Sequence, residues 1–133
     1  MTSKPFSCAL AVRDYECDMQ GVVNNAVYQN YLEHARHEFL KSRGLDFAQL
    51  TAQGIIVVVI RAEIDYRASL RSGDEFEVSV EPFMASAVRL AFRQQIRKRD
   101  GGLVMLDATI VTTAVNGRGR PYFPSELQCL LPH

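Results

Sequence analysis

The sequence predicts an α+β fold in which one long central helix is wrapped by a curved antiparallel sheet of five or six strands. Only one long stretch has apolar residues with helical spacing. Residues 55–115 are rich in β-branched residues, many of which alternate with polar ones. The chain has 133 residues and is 47% hydrophobic, which suits a single folded domain over residues 1–133.

The first half of the chain is predicted to hold one strand and the long helix. Residues 6–13, FSCALAVR, alternate in part and indicate the strand. The helix is capped by Asn24 or Asn25 and ends near Gly44, and residues 47–54 form a short helical or irregular piece. The buried stripe is predicted as Val27, Tyr28, Tyr31, Leu32, Ala35, Phe39 and Leu40, and the solvent side as Gln29, Asn30, Glu33, Arg36, His37 and Lys41.

The second half of the chain is predicted to form the rest of the sheet. Turns at Ser72–Asp74 and Asp100–Gly102 favour an antiparallel meander, and the run IIVVVI suits a strand that begins buried on both faces. Because one helix leaves part of such a sheet uncovered, we expect a second copy of the chain to bury the remainder. The predicted strands cover residues 55–68, 75–83, 87–99 and 103–115, and residues 116–124 close the sheet.

Composition and charge exclude several classes of protein. Fifteen basic residues balance 15 acidic ones, which argues against a nucleic-acid binder. No run approaches the roughly 18 apolar residues of a membrane span, and the N-terminus lacks the apolar core of a signal peptide. The three cysteines and three histidines show no metal-ligand spacing. We therefore expect a cytoplasmic protein that needs no metal or other cofactor.

Three carboxylates stand close together just before the long helix. Asp14, Glu16 and Asp18 lie within five residues and precede Gly21 and the capping asparagines. A carboxylate in this place can face the helix N-terminus, where free N–H groups and a partial positive charge stabilise a developing oxyanion. The alternative is that all three are solvated loop acids.

The stretch YECDMQGVVNNAVY resembles the pattern Y-x-x-D-x-x-G-x-V-(x)-N-x-x-Y of the 4-hydroxybenzoyl-CoA thioesterase-like branch of the hotdog-fold superfamily. It looks most similar to cyanobacterial and plastid members, which include 1,4-dihydroxy-2-naphthoyl-CoA hydrolases and acyl-carrier-protein thioesterases. The resemblance implies a hotdog fold and hydrolysis of a thioester to a free acid and a thiol. The motif positions are occupied by Tyr15, Asp18, Gly21, Val23, Asn24 and Tyr28.

The resemblance assigns catalytic roles to two positions. Asp18 is the nucleophile or the general base, and the two roles are not distinguished by the sequence. The backbone N–H of Asn25 polarises the thioester carbonyl. Another branch of these enzymes uses a carboxylate on the helix, which makes Glu33 the competitor of Asp18; the alternative for Glu33 is an ion pair with Arg36 or His37.

The resemblance also implies residues that bind the substrate, and each has a structural alternative. Gly21 equally suits a turn that orients Asp18, and Tyr28 has the spacing of a core residue. The valines of IIVVVI correspond to a segment that lines the acyl pocket from the neighbouring subunit, and a strand core explains them equally well. The implied substrate-binding residues are Gly21, Tyr28, Val57, Val58 and Val59.

One departure from the family concerns the phosphates of CoA. The basic cluster that holds them in the 4-hydroxybenzoyl-CoA enzymes is replaced here by FMASAVR, where only Arg89 is basic. We expect Arg118 and Arg120 to bind the phosphates instead. An acyl-carrier protein, in place of CoA, is the alternative carrier of the acyl group.

The substrates implied by the resemblance are acyl thioesters. An aromatic acyl-CoA such as 1,4-dihydroxy-2-naphthoyl-CoA is the first expectation. The alternatives are a fatty or β-ketoacyl thioester of CoA or carrier protein, or a non-catalytic module that binds acyl thioesters. The expected assembly is a homodimer or homotetramer with its sites at the subunit interfaces.

Overall fold

A computed structural model describes residues 5–132, which form one antiparallel sheet of six strands with few helices. Residues 1–4 and 133 of the predicted domain lie outside the described residues. No helix within residues 5–132 combines the length and apolarity needed to cross a bilayer. The elements are β1 (Phe6–Ala11), α1 (Asn25–Ser42), α2 (Phe47–Ala52), β2 (Ile56–Tyr66), β3 (Glu75–Ser86), β4 (Arg89–Lys98), β5 (Val104–Val115) and β6 (Pro121–Tyr122), with 3-10 turns at Asp14–Glu16 and Ser125–Leu130.

The ends of α1 follow from local capping. Asn24 is the N-cap, and its Oδ1 accepts a hydrogen bond from the N–H of Ala26 at 3.0 Å. After the last helical residue, Ser42, the chain reaches Gly44 with a φ of +79°, a conformation that glycine adopts without a Cβ penalty. These caps give α1 a length of 18 residues.

The core lies between α1 and one face of the sheet. Tyr31 packs on Phe76 of β3 with ring centroids 4.7 Å apart, and Phe39 meets Phe92 of β4 edge-on at 6.4 Å. Alternate residues of the middle strands point into this layer, as the period of two in a strand requires. The buried residues of this sheet face are Phe76, Val78, Val80, Leu90, Phe92, Gln94, Ile96, Leu106, Ala108, Ile110 and Thr112.

The strand order is β1-β3-β4-β5-β2, with β6 paired to the end of β5. The predicted meander is therefore correct for β3, β4 and β5 and wrong for β2, which pairs with β5 rather than β3. The turn signal at Ser72–Asp74 correctly marks a change of direction. Such signals are local, however, and say nothing about which strand becomes the neighbour.

The connection between β2 and β3 crosses one end of the sheet. The backbone of this connection is hydrogen-bonded to β5, where the N–H groups of Arg67 and Ala68 both donate to the Met105 carbonyl. Further along, Gly73 donates to the Val12 carbonyl at 3.0 Å. This crossing segment, residues 67–74, therefore anchors the loop that leads into α1.

The apolar start of β2 is exposed rather than buried on both faces. Val59 and Ile60 are 51% and 45% exposed, because β2 is an edge strand with β5 as its only neighbour in residues 5–132. A continuous apolar run has the same appearance in a doubly buried strand and in an edge strand that awaits a partner. The sequence predicts that this run is buried on both faces. In the single chain that prediction is wrong, because an edge strand has the same apolar pattern.

Candidate active site

The loop before α1 folds back on itself in a tight turn. Cys17 and Val23 form an antiparallel bridge, and inside it the N–H of Asp18 donates to the Val22 carbonyl at 2.9 Å. Gly21 donates to the Asp18 carbonyl at 3.0 Å and has a φ of +79°, where a side chain is strained. The turn therefore needs a glycine at position 21, and it holds Asp18 directly before the start of α1.

Two of the three clustered carboxylates are used to hold this loop. Asp14 accepts a hydrogen bond from the Ser72 hydroxyl of the crossing segment. Glu16 accepts from the Arg13 N–H at 2.8 Å and from the Tyr31 hydroxyl at 2.9 Å. Burial and the bond to Glu16 raise the pKa of the Tyr31 phenol, which remains a hydrogen-bond donor at neutral pH. Neither carboxylate shares its donors with Asp18.

Asp18 is exposed and uses one carboxylate oxygen for its own turn. Its Oδ1 accepts hydrogen bonds from the N–H groups of Gln20 and Val22 at 2.8 Å and 3.4 Å. No residue within 5–132 donates to its Oδ2. The side chain is thus fixed at one oxygen and open at the other, as a nucleophile or general base requires.

The first turn of α1 supplies an unpaired donor. Asn24 satisfies the N–H of Ala26 through its side chain and the N–H of Val27 through its carbonyl. The N–H of Asn25 finds no acceptor among the described residues, and helix geometry provides none inside α1. Together with the positive end of the helix dipole, it can stabilise a carbonyl oxygen that becomes negative.

Tyr28 lies in the core below this helix end. Its hydroxyl accepts a hydrogen bond from the N–H of Leu70 at 2.8 Å, and its ring meets those of Tyr31 and Tyr66. Through these contacts Tyr28 connects α1 to the crossing segment and to the end of β2.

A groove between α1 and β2 is the second feature of interest, and we call it the α1–β2 groove. It consists of two adjoining depressions of about 270 Å³ and 230 Å³ that share Glu33, Arg36 and Val59. Its walls are mainly apolar, which is the usual lining of a small-molecule site. The apolar lining includes Phe47, Val57, Val58, Val59, Phe92 and Ile110.

Arg36 is buried in the floor of the α1–β2 groove, although the sequence placed it on the solvent side of α1. It is 7% exposed, and its Nη1 donates to the Gln94 side chain of β4 at 2.9 Å. Gln94 in turn donates to the Leu32 carbonyl of α1 at 3.0 Å. Burial lowers the pKa of the Arg36 guanidinium, which nevertheless stays charged at neutral pH. The polar residue Gln94 within an apolar strand was the sequence signal for this pair.

Glu33 and His37 form the rim of the same groove. The Glu33 carboxylate lies 3.6 Å from Nε2 of His37, one turn further along α1. Burial lowers the pKa of the His37 imidazole, so the ring is mostly neutral at pH 7. His37 packs on Phe47 of α2 with ring centroids 4.5 Å apart.

One chain does not bring the two groups of predicted residues together. Asp18, Gly21 and Asn25 lie at the N-terminal end of α1, whereas Val57–Val59 line the α1–β2 groove. Arg36, in the floor of the groove, lies eleven residues after Asn25 on α1. At 1.5 Å per residue, this corresponds to about 16 Å along the helix axis.

The three arginines expected at the CoA phosphates lie at the far end of the sheet. Arg118 and Arg120 belong to the turn after β5, where their N–H groups donate to Asn116 Oδ1 at 2.8 Å and 3.1 Å, and Arg89 pairs in register with Thr113. The crossing segment, which holds the Asp18 turn, meets β5 at Met105. Ten residues of strand, or about 33 Å, separate Met105 from the end of β5 at Val115.

The chain is similar to known proteins over most of its length. Residues 12–131 match the family model of the thioesterase-like superfamily. A chloroplastic acyl-acyl carrier protein thioesterase, ATL3 of Arabidopsis thaliana, is 37% identical over 93% of this chain, which spans 66% of the length of that protein. The acyl-CoA thioesterase YbgC of Haemophilus influenzae is 29% identical over 100% of this chain and 98% of its own length.

A solved structure shows the same architecture. The 1,4-dihydroxy-2-naphthoyl-CoA thioesterase Slr0204 of Synechocystis superposes with a TM-score of 0.90 over 96% of both chains at 20% identity. At that identity the likeness shows the hotdog fold alone. The family match and the plant relative confirm the resemblance to thioesterases, and this chain therefore belongs to the thioesterase-like superfamily.

Proposed function

We propose that this chain hydrolyses acyl thioesters, with Asp18 as nucleophile or general base and the Asn25 N–H as oxyanion donor. The observation that carries the proposal is the start of α1, where a carboxylate with one open oxygen precedes a helix N-terminus with an unpaired N–H. The resemblance of the sequence to thioesterases assigns catalytic roles to these two positions, and both lie within the residues that match the family model.

The chemistry follows from these two groups. The substrate carbonyl oxygen accepts the Asn25 N–H, and the helix dipole makes the carbonyl carbon more electrophilic. The Asp18 carboxylate then attacks that carbon directly or removes a proton from a water that attacks it. Negative charge gathers on the oxygen held by Asn25 until the carbon–sulfur bond breaks and the thiolate leaves. When Asp18 is the base, the attack of water gives the free acid directly, and the proton that Asp18 has taken passes to the thiolate. When Asp18 is the nucleophile, the attack gives a mixed anhydride, which water then splits into the free acid and Asp18, and a proton released in that step protonates the thiolate.

For the acyl group we propose an aromatic acyl-CoA such as 1,4-dihydroxy-2-naphthoyl-CoA as the first candidate. A fatty or β-ketoacyl group on a carrier protein is the second, and the name of the plant relative favours it. The apolar walls of the α1–β2 groove suit either group. A non-catalytic binding module is disfavoured, because binding alone does not require a carboxylate with an open oxygen at position 18.

We propose that two copies of the chain join through β2 to form a homodimer, which a homotetramer would contain twice. The free edge of β2 is eleven residues long and exposes the apolar side chains of Val58, Val59 and Ile60. An edge of this kind pairs readily with another strand. A two-fold axis is the commonest symmetry of such pairs and makes the pairing antiparallel.

Antiparallel pairing of β2 would complete the site. The Tyr66 end of β2 touches Tyr28 near the start of α1, and the Val57 end lines the α1–β2 groove. Reversing the second copy therefore brings its groove towards the Asp18 turn of the first. Ile56 pairs with Val115 at the arginine end of the sheet, so the arginines also approach the Asp18 turn of the other copy.

This arrangement gives Arg89, Arg118 and Arg120 a role in trans. Placed beside the Asp18 turn of the second copy, they would bind the phosphates of CoA or of a carrier-protein pantetheine arm.

The test of the proposed function is thiol release from a panel of thioesters. Aromatic, fatty and β-ketoacyl groups are offered on CoA, and the last two also on carrier protein, with Asp18→Asn as the inactive control. We expect turnover of at least one group by the wild type and a large loss in the variant. Binding without turnover across the whole panel would favour the non-catalytic module and contradict the proposal.

A further inference from the structure

The Arg36 guanidinium presents unused donors to the α1–β2 groove. Within residues 5–132 it donates one hydrogen bond, from Nη1 to Gln94, and pairs with no carboxylate. Every fully buried side-chain nitrogen and oxygen of the described residues has a hydrogen-bond partner. The guanidinium nitrogens without a partner are therefore not fully buried, and Arg36 lines both depressions of the α1–β2 groove.

A cation without an ion-pair partner on the floor of an apolar groove destabilises the fold. Burying a charge without a counter-ion or a full set of hydrogen bonds destabilises a fold. Burial lowers the pKa of Arg36, and the charge of Glu33, one turn earlier on α1, raises it and so offsets only part of this cost. The Glu33 carboxylate is exposed and forms no ion pair with the guanidinium. Arg36 thus has the character of a binding residue whose partner arrives with the ligand.

We propose that Arg36 selects the acyl group by donating hydrogen bonds to an oxygen that the acyl group carries in addition to its thioester carbonyl. The apolar walls hold the hydrocarbon part of the same group. This inference rests on the proposed function and narrows its substrates to acyl groups with a keto, hydroxyl or carboxylate oxygen. Plain hydrocarbon acyl groups leave the guanidinium unpaired and are disfavoured.

A purely structural role for Arg36 makes a different prediction. Arg36 also holds Gln94, which binds the Leu32 carbonyl and so connects α1 to β4. If that were its only role, removing the guanidinium would lower the turnover of all thioesters by the same factor. A selecting residue affects only the substrates that carry the oxygen.

The experiment compares pairs of CoA thioesters that differ only in the added oxygen. The pairs are octanoyl and 3-oxooctanoyl, benzoyl and 4-hydroxybenzoyl, and hexanoyl and adipoyl, and kcat/KM is measured by thiol release. The variants are Arg36→Met, Arg36→Lys and the control Lys41→Met, which removes an exposed cation from the same helix. Comparing one pair between proteins cancels differences in intrinsic reactivity.

We expect the wild type to prefer the oxygenated member of at least one pair. Arg36→Met should lower kcat/KM for that member by about 10- to 100-fold and change the hydrocarbon member by less than about threefold. Arg36→Lys should keep part of the preference, because it retains the charge but not the planar fork, and Lys41→Met should keep all of it. If Arg36→Met does not fold, the kcat/KM ratio of each pair is compared between Arg36→Lys and the wild type, and a partial loss of the preference is expected.

An equal loss for both members of every pair, or a wild type without any preference, would overturn the selecting role and leave the thioesterase activity standing. A wild type that releases thiol from none of the esters would instead overturn the proposed function, and this inference with it.

Discussion

The Asp18 turn and the α1–β2 groove differ in what each lacks. The turn offers a carboxylate with an open oxygen and a free N–H, but it is exposed and has no walls. The groove offers apolar walls and a buried cation, but its carboxylate, Glu33, lies on the exposed rim. Under the proposed function, the turn provides the groups for the reaction and the groove provides the shape for the substrate.

Under the proposed function, a single chain therefore holds half of a site. Reactive groups need an environment that excludes water, and a groove needs reactive groups within hydrogen-bond distance of the bound carbonyl. The proposed pairing of two chains through β2 would supply both conditions at once. It would cover Val58, Val59 and Ile60, which are exposed in the single chain.

The largest expected effect is the loss of the reactive carboxylate. Asp18→Asn should lower kcat by about 10²- to 10⁴-fold, the usual contribution of a positioned base. The asparagine side chain still accepts the hydrogen bonds of Gln20 and Val22, so the melting temperature should change little. Glu16→Gln is the matched control, because Glu16 holds the loop from outside the proposed chemistry. Near-wild-type kcat in the Asp18 variant would remove the turn from the mechanism.

The next effect concerns the edge of β2. Ile56 and Ile60 are exposed on β2 and line neither depression of the α1–β2 groove. Replacing both by lysine places two charges on that edge and should raise the dimer dissociation constant by at least about tenfold, as measured by sedimentation. Turnover should fall in step with the loss of dimer. Leu103→Lys is the control, since Leu103 is 58% exposed but lies in the turn between β4 and β5. A variant that is fully monomeric and fully active would contradict the shared site.

The smallest effect is expected at the rim of the groove. Glu33→Gln keeps the size of the side chain and removes only an exposed partner of His37, so kcat should stay within about threefold of the wild type. Steady-state kinetics beside Asp18→Asn checks this. A collapse of turnover in the Glu33 variant with an active Asp18 variant would move the catalytic role onto the helix.

The structural features that the sequence predicted correctly depend on interactions between residues close together in the chain. The Asp18 turn closes between residues 18 and 22, and Asn24 caps α1 two residues away. Both structures are therefore present in the motif itself. The alternation of β3, β4 and β5 is equally local, and these strands were predicted in the correct order.

The parts that were missed depend on residues far apart in the chain. Arg36 is buried because its guanidinium donates a hydrogen bond to the side chain of Gln94, which lies 58 residues later in the sequence. β2 joins β5 instead of β3 because the crossing segment binds the loop before α1 and the start of β5. Helical spacing and turn composition carry no information about such partners.

The shared site is tested most directly by mixing two inactive variants. Asp18→Asn removes the carboxylate, and Val59→Trp fills the α1–β2 groove, with each variant checked to be inactive and dimeric. After equimolar exchange of subunits, verified with a tag on one variant, half of the dimers are mixed and each mixed dimer has one intact site. If the site is shared between subunits, the mixture should recover about a quarter of the wild-type rate. Mixed dimers that form and remain inactive would show that Asp18 and the groove serve one site within the same chain.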